Sequence, residues 1–253
     1  NAWHKGCRLE RKRENILAKY LFTYYSAFKD MNIYDFRSNN PDLSIEGGDI
    51  LVFDRKRICI GISERTPIES VNKIAPLFFK EGFETIIAIE LPKERALMHL
   101  DTIFTRINNK EVLVFPPIFD SKQLNTIYLY KNNNPDPKKI VRDLLSVLEE
   151  DGIKNTFIKC GSDSKIMQQR EQWTDGANAF TLSPGKIIGY DCNTYTIEEL
   201  KKSGYITLSS KEYIDNYKHY NETDQKFIIT IKGSELSRGR GGPRCLTLPI
   251  FRI

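Results

Sequence analysis

The chain has 253 residues, 40% hydrophobic and 28% charged, the balance of a folded globular protein and not of a disordered one. Its net charge of +5 comes from 38 basic and 33 acidic residues mixed along the sequence, so the concentrated basic stripe of a nucleic-acid binder is missing. No apolar run approaches the ~20 residues that span a bilayer and no signal-peptide pattern is seen, so neither nucleic acid nor membrane is expected as a partner.

The chain opens on Asn1-Ala2-Trp3 without an initiator methionine, which reads as the scar of a cleaved tag or as a trimmed fragment. Leu9 to Phe28 predicts a helix, with Ile16, Leu17, Tyr20, Leu21, Tyr24 and Tyr25 at helical spacing and charges on the other side. A turn-rich passage follows. Asp49–Phe53 and Arg57–Ile62 predict two strands joined by the tight turn Asp54-Arg55-Lys56. Ile68–Lys80 predicts a helix with Pro76 as a kink or break, and Glu84–Leu91 a strand. Val112–Phe115 and Thr126–Tyr130 are apolar and β-branched, as strands require. Asp136-Pro137 opens a predicted helix over Pro137–Asp151, closed by Gly152. Thr156–Cys160, Ala179–Leu182 and Lys186–Tyr190 continue as strands. Thr196-Ile197-Glu198-Glu199 reads as a capping box for a short helix ending near Gly204. Phe227–Ile231 is the last strong strand, after a polar, tyrosine-rich surface insertion at 209–225. The pattern is one α/β domain over 1–253, built from strand-strand-helix-strand units. A glycine-rich nucleotide loop of either common type is missing, so the doubly wound nucleotide-binding folds lose their strongest support.

Three clusters could carry chemistry. Cys245 ends the run Gly233–Cys245, which holds four glycines, three arginines and a proline. Nearby positive charge lowers a thiol's pKa and makes it a nucleophile, and glycines let the backbone approach a ligand. A structural cysteine is the other reading. Ser44–Ile50 sets Glu46 and Asp49 around Gly47-Gly48 before a strand, either aiming two carboxylates into a cleft or forming an ordinary acidic turn. In Met98-His99-Leu100-Asp101-Thr102, an extended chain would put His99 and Asp101 on one face, as a base and its orienting carboxylate or as a satisfied structural histidine. The five cysteines are odd in number and widely spaced with no Cys-x-x-Cys pair, which argues against disulfides and structural zinc and points to a reducing cytoplasm.

Four segments occur in order: Glu46-Gly47-Gly48-Asp49, Met98–Thr105, Arg170–Asn178 and Arg238–Cys245. Together they resemble bacterial arginine deiminase, of the guanidine-modifying pentein superfamily. The resemblance runs over essentially the whole chain. It implies a pentein-type α/β propeller of pseudo-repeated strand-strand-helix-strand units, incomplete at the N-terminus. It also implies hydrolysis of L-arginine to citrulline and ammonia without metal or organic cofactor. By this resemblance Cys245 attacks the guanidinium carbon, and His99 protonates the departing ammonia and then activates water. Glu46 and Asp101 hold the guanidinium and the histidine, and Asp49 and Asn178 line the site. Arg11, Arg65 and Arg240 bind the substrate carboxylate, with Arg240 on a mobile loop.

The chain departs from the family pattern upstream. Arg11-Lys12-Arg13-Glu14 matches a family Arg-x-Arg-Glu stretch, and the guanidinium-binding aspartate that precedes it in the family has no counterpart here. The family's N-terminal region and inserted helical domain are likewise unmatched, which would leave a strand edge and apolar side chains uncovered. Cys192 stands where an arginine is common before Asn193. The leading expectation is an arginine deiminase. The alternative is a catalytically silent pentein that acts by binding, as a homo-oligomer or with a complementing N-terminal fragment. An amidinotransferase or agmatine deiminase fits less well, since three carboxylate-binding arginines suit an amino-acid substrate.

Overall fold

The computed structural model describes the backbone of residues 9–31 and 33–248 and, residue 135 apart, the side chains from residue 16 onward. In chain order the elements are α1 (Leu9–Tyr24), α2 (Phe36–Asn39), β1 (Ile50–Val52), β2 (Arg57–Ile62), α3 (Ile68–Lys80), β3 (Thr85–Glu90), β4 (Phe104–Arg106), β5 (Glu111–Val114), β6 (Asn125–Lys131) and β7 (Asn134–Arg142). They continue with α4 (Leu144–Glu150), β8 (Thr156–Lys159), α5 (Lys165–Trp173), β9 (Phe180–Ser183), β10 (Lys186–Tyr190), α6 (Thr194–Lys202), β11 (Ile206–Ser209), α7 (Ser210–Asp215), α8 (Tyr217–Glu222), β12 (Phe227–Ile231) and α9 (Ser234–Arg238). The mixed α/β class expected from the sequence is what the chain adopts. None of the helices among the described residues is long and apolar enough to cross a membrane.

The chain divides into two compact units, residues 1–93 with 127–140, and residues 94–126 with 141–253. The first is built on a sheet of order β1-β2-β3-β6-β7. β1 runs antiparallel to β2, whose entry turn is closed by the Asp54 carboxylate, which accepts from the amides of Lys56 at 2.8 Å and Arg57 at 2.9 Å. β2 then pairs in parallel with β3 after the crossover helix α3. β2 and β3 read as continuous apolar runs because a parallel pair is covered on its faces. Ile58, Ile60, Ile86, Ala88 and Tyr130 form its buried cluster with Val71 and Ala75 of α3. Ile86 is fully buried there, so Ile86→Ala is expected to cost about 3 kcal/mol, read as a lower urea midpoint for unfolding of this unit.

The second unit repeats the same local plan. β4 is antiparallel to β5, the chain then supplies β6 and β7 to the five-stranded sheet, and after α4 strand β8 returns parallel to β5. Its other sheet has the order β11-β12-β10-β9, with β9 antiparallel and β12 parallel to β10. Here β12 is inserted between β10 and β11, and α6 crosses from one to the other. Ile107, Leu113, Ile158, Ile187, Leu200, Tyr205 and Ile228 make a shared core.

Several expectations need correction. The predicted helix over Pro137–Asp151 is instead strand β7 followed by the shorter helix α4. The β6–β7 hairpin captures 134–142 in the sheet, and Asp143, not Asp136, caps the helix by accepting from the Ser146 amide at 2.9 Å. The capping box at Thr196 is not used: α6 starts at Thr194, and the Thr196 amide and hydroxyl both donate to the buried Glu171 carboxylate at 2.7 Å. Pro76 lies inside α3 without breaking it. Helix α1 starts where expected but ends at Tyr24, with Tyr25 extended before a 3₁₀ turn at Ser26–Phe28; Ile16, Leu17, Tyr20, Leu21, Tyr24 and Tyr25 are exposed, while Phe22 packs on Phe28 with ring centroids 4.8 Å apart. The 209–225 segment holds the two short helices α7 and α8, whose Tyr213 and Tyr220 pack on Phe227 of β12.

Candidate active site

In the second unit, the glycine-arginine run after β12 is shaped by close backbone approach. A Cβ at Gly233 would lie 2.0 Å from the Tyr190 ring, and one at Gly242 would lie 2.2 Å from Oδ1 of Asn178, so both positions need glycine. Tyr190 donates its hydroxyl hydrogen to the Gly241 carbonyl. Asn178, almost wholly buried, ties the run to the 98–105 segment. Its Oδ1 accepts from the amides of Arg244 at 2.9 Å and Cys245 at 3.4 Å. Its Nδ2 donates to the Asp101 carbonyl at 3.0 Å and to the Cys245 sulfur at 3.3 Å.

The Asp101 carboxylate faces the thiol. Cys245 Sγ lies 3.9 Å from Oδ1 and 3.8 Å from Oδ2, and the Arg244 guanidinium donates to Oδ2 at 2.6 Å. Cys245 as a residue is open to solvent. Desolvation around the sulfur, followed by the Asp101 carboxylate, pushes the thiol up to about 12, with Arg244 opposing. The premise that residues 99–101 are extended does not hold: Leu100–Thr102 is a 3₁₀ turn with His99 at its start. The turn forms because the Thr102 hydroxyl and amide both return to the His99 carbonyl, at 2.7 Å and 3.1 Å. It buries Asp101 beneath the cysteine and leaves His99 half-buried.

Arg240 is turned inward. Its guanidinium donates to the carbonyls of Trp173 and Ala96, sits 4.9 Å over the Trp173 ring and comes within 3.8 Å of the Asp175 carboxylate. Burial lowers its pKa, against the opposing pull of Asp175 and Cys245. The sequence alone does not mark Asp175 and Arg244 as site residues. Each lies in one of the four family-like segments, Arg170–Asn178 and Arg238–Cys245, but composition does not separate them from surface charges.

The first unit gathers the other expected acids and one arginine. Glu46 precedes a 3₁₀ turn at Gly47–Asp49 and pairs with Arg65 at 3.3 Å. Asp49, fully buried, accepts from the hydroxyls of Ser63 and Thr66, both at 2.7 Å. Arg11 has its backbone in α1, and its side chain lies outside the described residues. Among the described residues, histidine, cysteine and acidic side chains do not gather into a metal-binding group.

Mixed α/β sheets and a cysteine seated on a buried carboxylate define an α/β protein with a thiol–carboxylate pair. The chain belongs to the arginine deiminase family, whose family model matches residues 7–252. It is 34% identical over 246 residues to an arginine deiminase of Mycoplasma capricolum, 36% over 252 residues to arginine deiminase 1 of Staphylococcus epidermidis and 38% over 249 residues to an arginine deiminase of Borrelia recurrentis. These matches cover 96% of this chain and 55%, 56% and 55% of the relatives, so the chain spans about half the length of the curated relatives it matches. The solved amidinotransferase SxtG from Microseira wollei overlays 68% of this chain and 41% of its own, with a TM-score of 0.43 and 17% identity, too distant to define the fold.

Proposed function

We propose that this chain carries the nucleophile-bearing part of an arginine deiminase with a pentein fold, converting L-arginine and water to L-citrulline and ammonia. The observation that carries this reading is the Cys245 sulfur within 3.9 Å of both oxygens of the buried Asp101 carboxylate, in a member of this family. A carboxylate beside a thiol is adverse for forming a thiolate, but it suits a site that receives a guanidinium. The arriving cation satisfies the carboxylate and lowers the thiol's pKa together, so the nucleophile is released where its target lies.

In this mechanism the thiolate forms a C–S bond to the guanidinium carbon. The C–N bond to a terminal nitrogen then breaks, and His99 supplies the proton with which ammonia leaves. Water, deprotonated by His99, attacks the resulting thiouronium carbon, and the C–S bond breaks to return the thiolate and the ureido group of citrulline. Asp101, with Glu46, is assigned to hold the guanidinium and His99. Asp49 and Asn178 are assigned to line the site, and Arg11, Arg65 and Arg240 to bind the substrate carboxylate. For Asn178 the support is its contact with both the sulfur and the Asp101 backbone. For the residues of the first unit the support is family membership. We assign residues 1–253 to one pentein domain, acting in the cytoplasm.

The direct test is incubation of the purified chain with arginine and measurement of citrulline and ammonia in equal amounts; a chain that binds arginine without producing either sinks the enzymatic reading. A second test uses the thiol. With its pKa pushed up to about 12, the folded chain holds little thiolate at neutral pH. Alkylation of Cys245 by iodoacetamide, followed by peptide mass spectrometry, is therefore expected to rise about tenfold per pH unit from pH ~7 to ~10. A plateau below about pH 9 contradicts the thiol's placement against Asp101.

A further inference from the structure

Both Asp175 and Arg240 are almost fully buried and hold left-handed backbone conformations, with φ of 60° and 62°. Neither carboxylate oxygen of Asp175 nor Nε of Arg240 has a hydrogen-bond partner among the described residues. Asp175 therefore meets Arg240 through charge, at 3.8 Å, and not through a hydrogen bond. Two buried charged groups with so little compensation are costly to keep unless their mutual field has a use. The remaining guanidinium contacts, to the Gln172, Trp173 and Ala96 carbonyls and the Trp173 ring, place Arg240 without supplying a negative charge.

We propose that Asp175 is a positioning residue that holds the Arg240 guanidinium turned inward, and that it acts through its charge. Its role in turnover rests on the assignment of Arg240 to the substrate carboxylate, while its hold on Arg240 does not. A charge held this way is switchable. Desolvation, opposed by Arg240 and reinforced by Asp101, pushes Asp175 up to about 6. The titratable groups facing it are Arg240, Asp101, Cys160, Tyr190 and Cys245. Burial holds Cys160, Tyr190 and Cys245 up at about 12, protonated near neutrality, so Arg240 and Asp101 are the charges that act on Asp175. The sign follows: below about pH 6 Asp175 takes up a proton, its attraction for Arg240 ends, and the guanidinium loosens from the Trp173 ring. A ligand that draws Arg240 away leaves the carboxylate without its cation and favours the same protonation.

Trp173 reports this without substrate, so failure here is separate from failure of the catalytic reading. Trp3 is the chain's other tryptophan, and Trp3→Phe makes the emission that of Trp173 alone. In that background the Trp173 emission maximum and its acrylamide quenching are expected to shift with pH, with a midpoint near 6. Asp175→Asn keeps the shape, tolerates the left-handed backbone and removes the charge. Its emission should match the low-pH form of the parent and stay flat from pH ~5 to ~7.5, and Asp175→Glu should restore the transition. Far-UV circular dichroism and the melting temperature establish that the variants are folded. The parent titration is itself decisive if Asp175→Asn does not fold. A parent with no transition near pH 6, or one that survives in Asp175→Asn, overturns the proposal.

Discussion

In the proposed deiminase reaction, replacing Cys245 by serine is expected to lower citrulline release from arginine by about three orders of magnitude or more, because a hydroxyl is far harder to ionise and a poorer leaving group than a thiol in that covalent route. The substitution changes one atom at an exposed position, so folding should be unaffected. Asn178 still accepts the amides of residues 244 and 245, which keeps the loop in place. The effect should therefore fall on kcat with little change in arginine binding. Turnover by the serine variant within about tenfold of the parent would falsify Cys245 as the nucleophile. Loss of arginine binding together with turnover would instead indicate a collapsed loop, which a far-UV spectrum and melting curve can detect.

A second large effect is expected on stability, away from the thiol. Glu171, nearly fully buried on α5, accepts from the Tyr195 amide at 2.8 Å and from the Thr196 amide and hydroxyl, each at 2.7 Å. These amides open α6, where the helix dipole favours negative charge, so one carboxylate satisfies the helix's free donors and complements its field. The Thr196 hydroxyl also accepts from the Gly161 amide at 3.0 Å, which links the end of β8 to the same point. Glu171→Ala leaves three donors, two of them buried, without a charged acceptor, and about 3 kcal/mol or more should be lost. Glu171→Gln, which keeps one acceptor oxygen, should lose roughly half as much. Denaturant unfolding of the second unit measures both. A loss below about 1 kcal/mol for Glu171→Ala would mean that water replaces the carboxylate, and the account of α6 would be wrong.

How far local pattern carries can be seen element by element. The strands β2, β3, β10 and β12 were legible because each is a short run of β-branched residues bounded by turn chemistry, and α3 because its apolar spacing outweighed Pro76. The helix predicted at Pro137–Asp151 was wrong for a physical reason. Asp136-Pro137 is a sound local start for a helix, but pairing with β6 satisfies the same backbone groups in a ladder that no local signal reveals. The start of α6 was misplaced because its cap comes from Glu171, 25 residues from Thr196 in sequence. The α1 stripe is legible as helical from Ile16 to Tyr24, though spacing does not say whether anything covers it.

The same division holds at the candidate site. Residue type and glycine content were enough to single out Cys245, and the order of four motifs was enough for the family. Those are properties of the chain as a string, since a thiol's chemistry and a glycine's freedom belong to the residue itself. Only the tertiary structure decided what surrounds the thiol. It seats Asp101 beneath the sulfur through a 3₁₀ turn, joins the two segments through Asn178, and turns Arg240 inward against Asp175. Positive charge near the cysteine in sequence suggests an easily ionised thiol, whereas the fold raises it, because loss of water around the sulfur and a carboxylate from 144 residues away outweigh the adjacent arginine. Electrostatic interactions depend on distance through space and on the loss of water, and neither quantity is written in the order of residues.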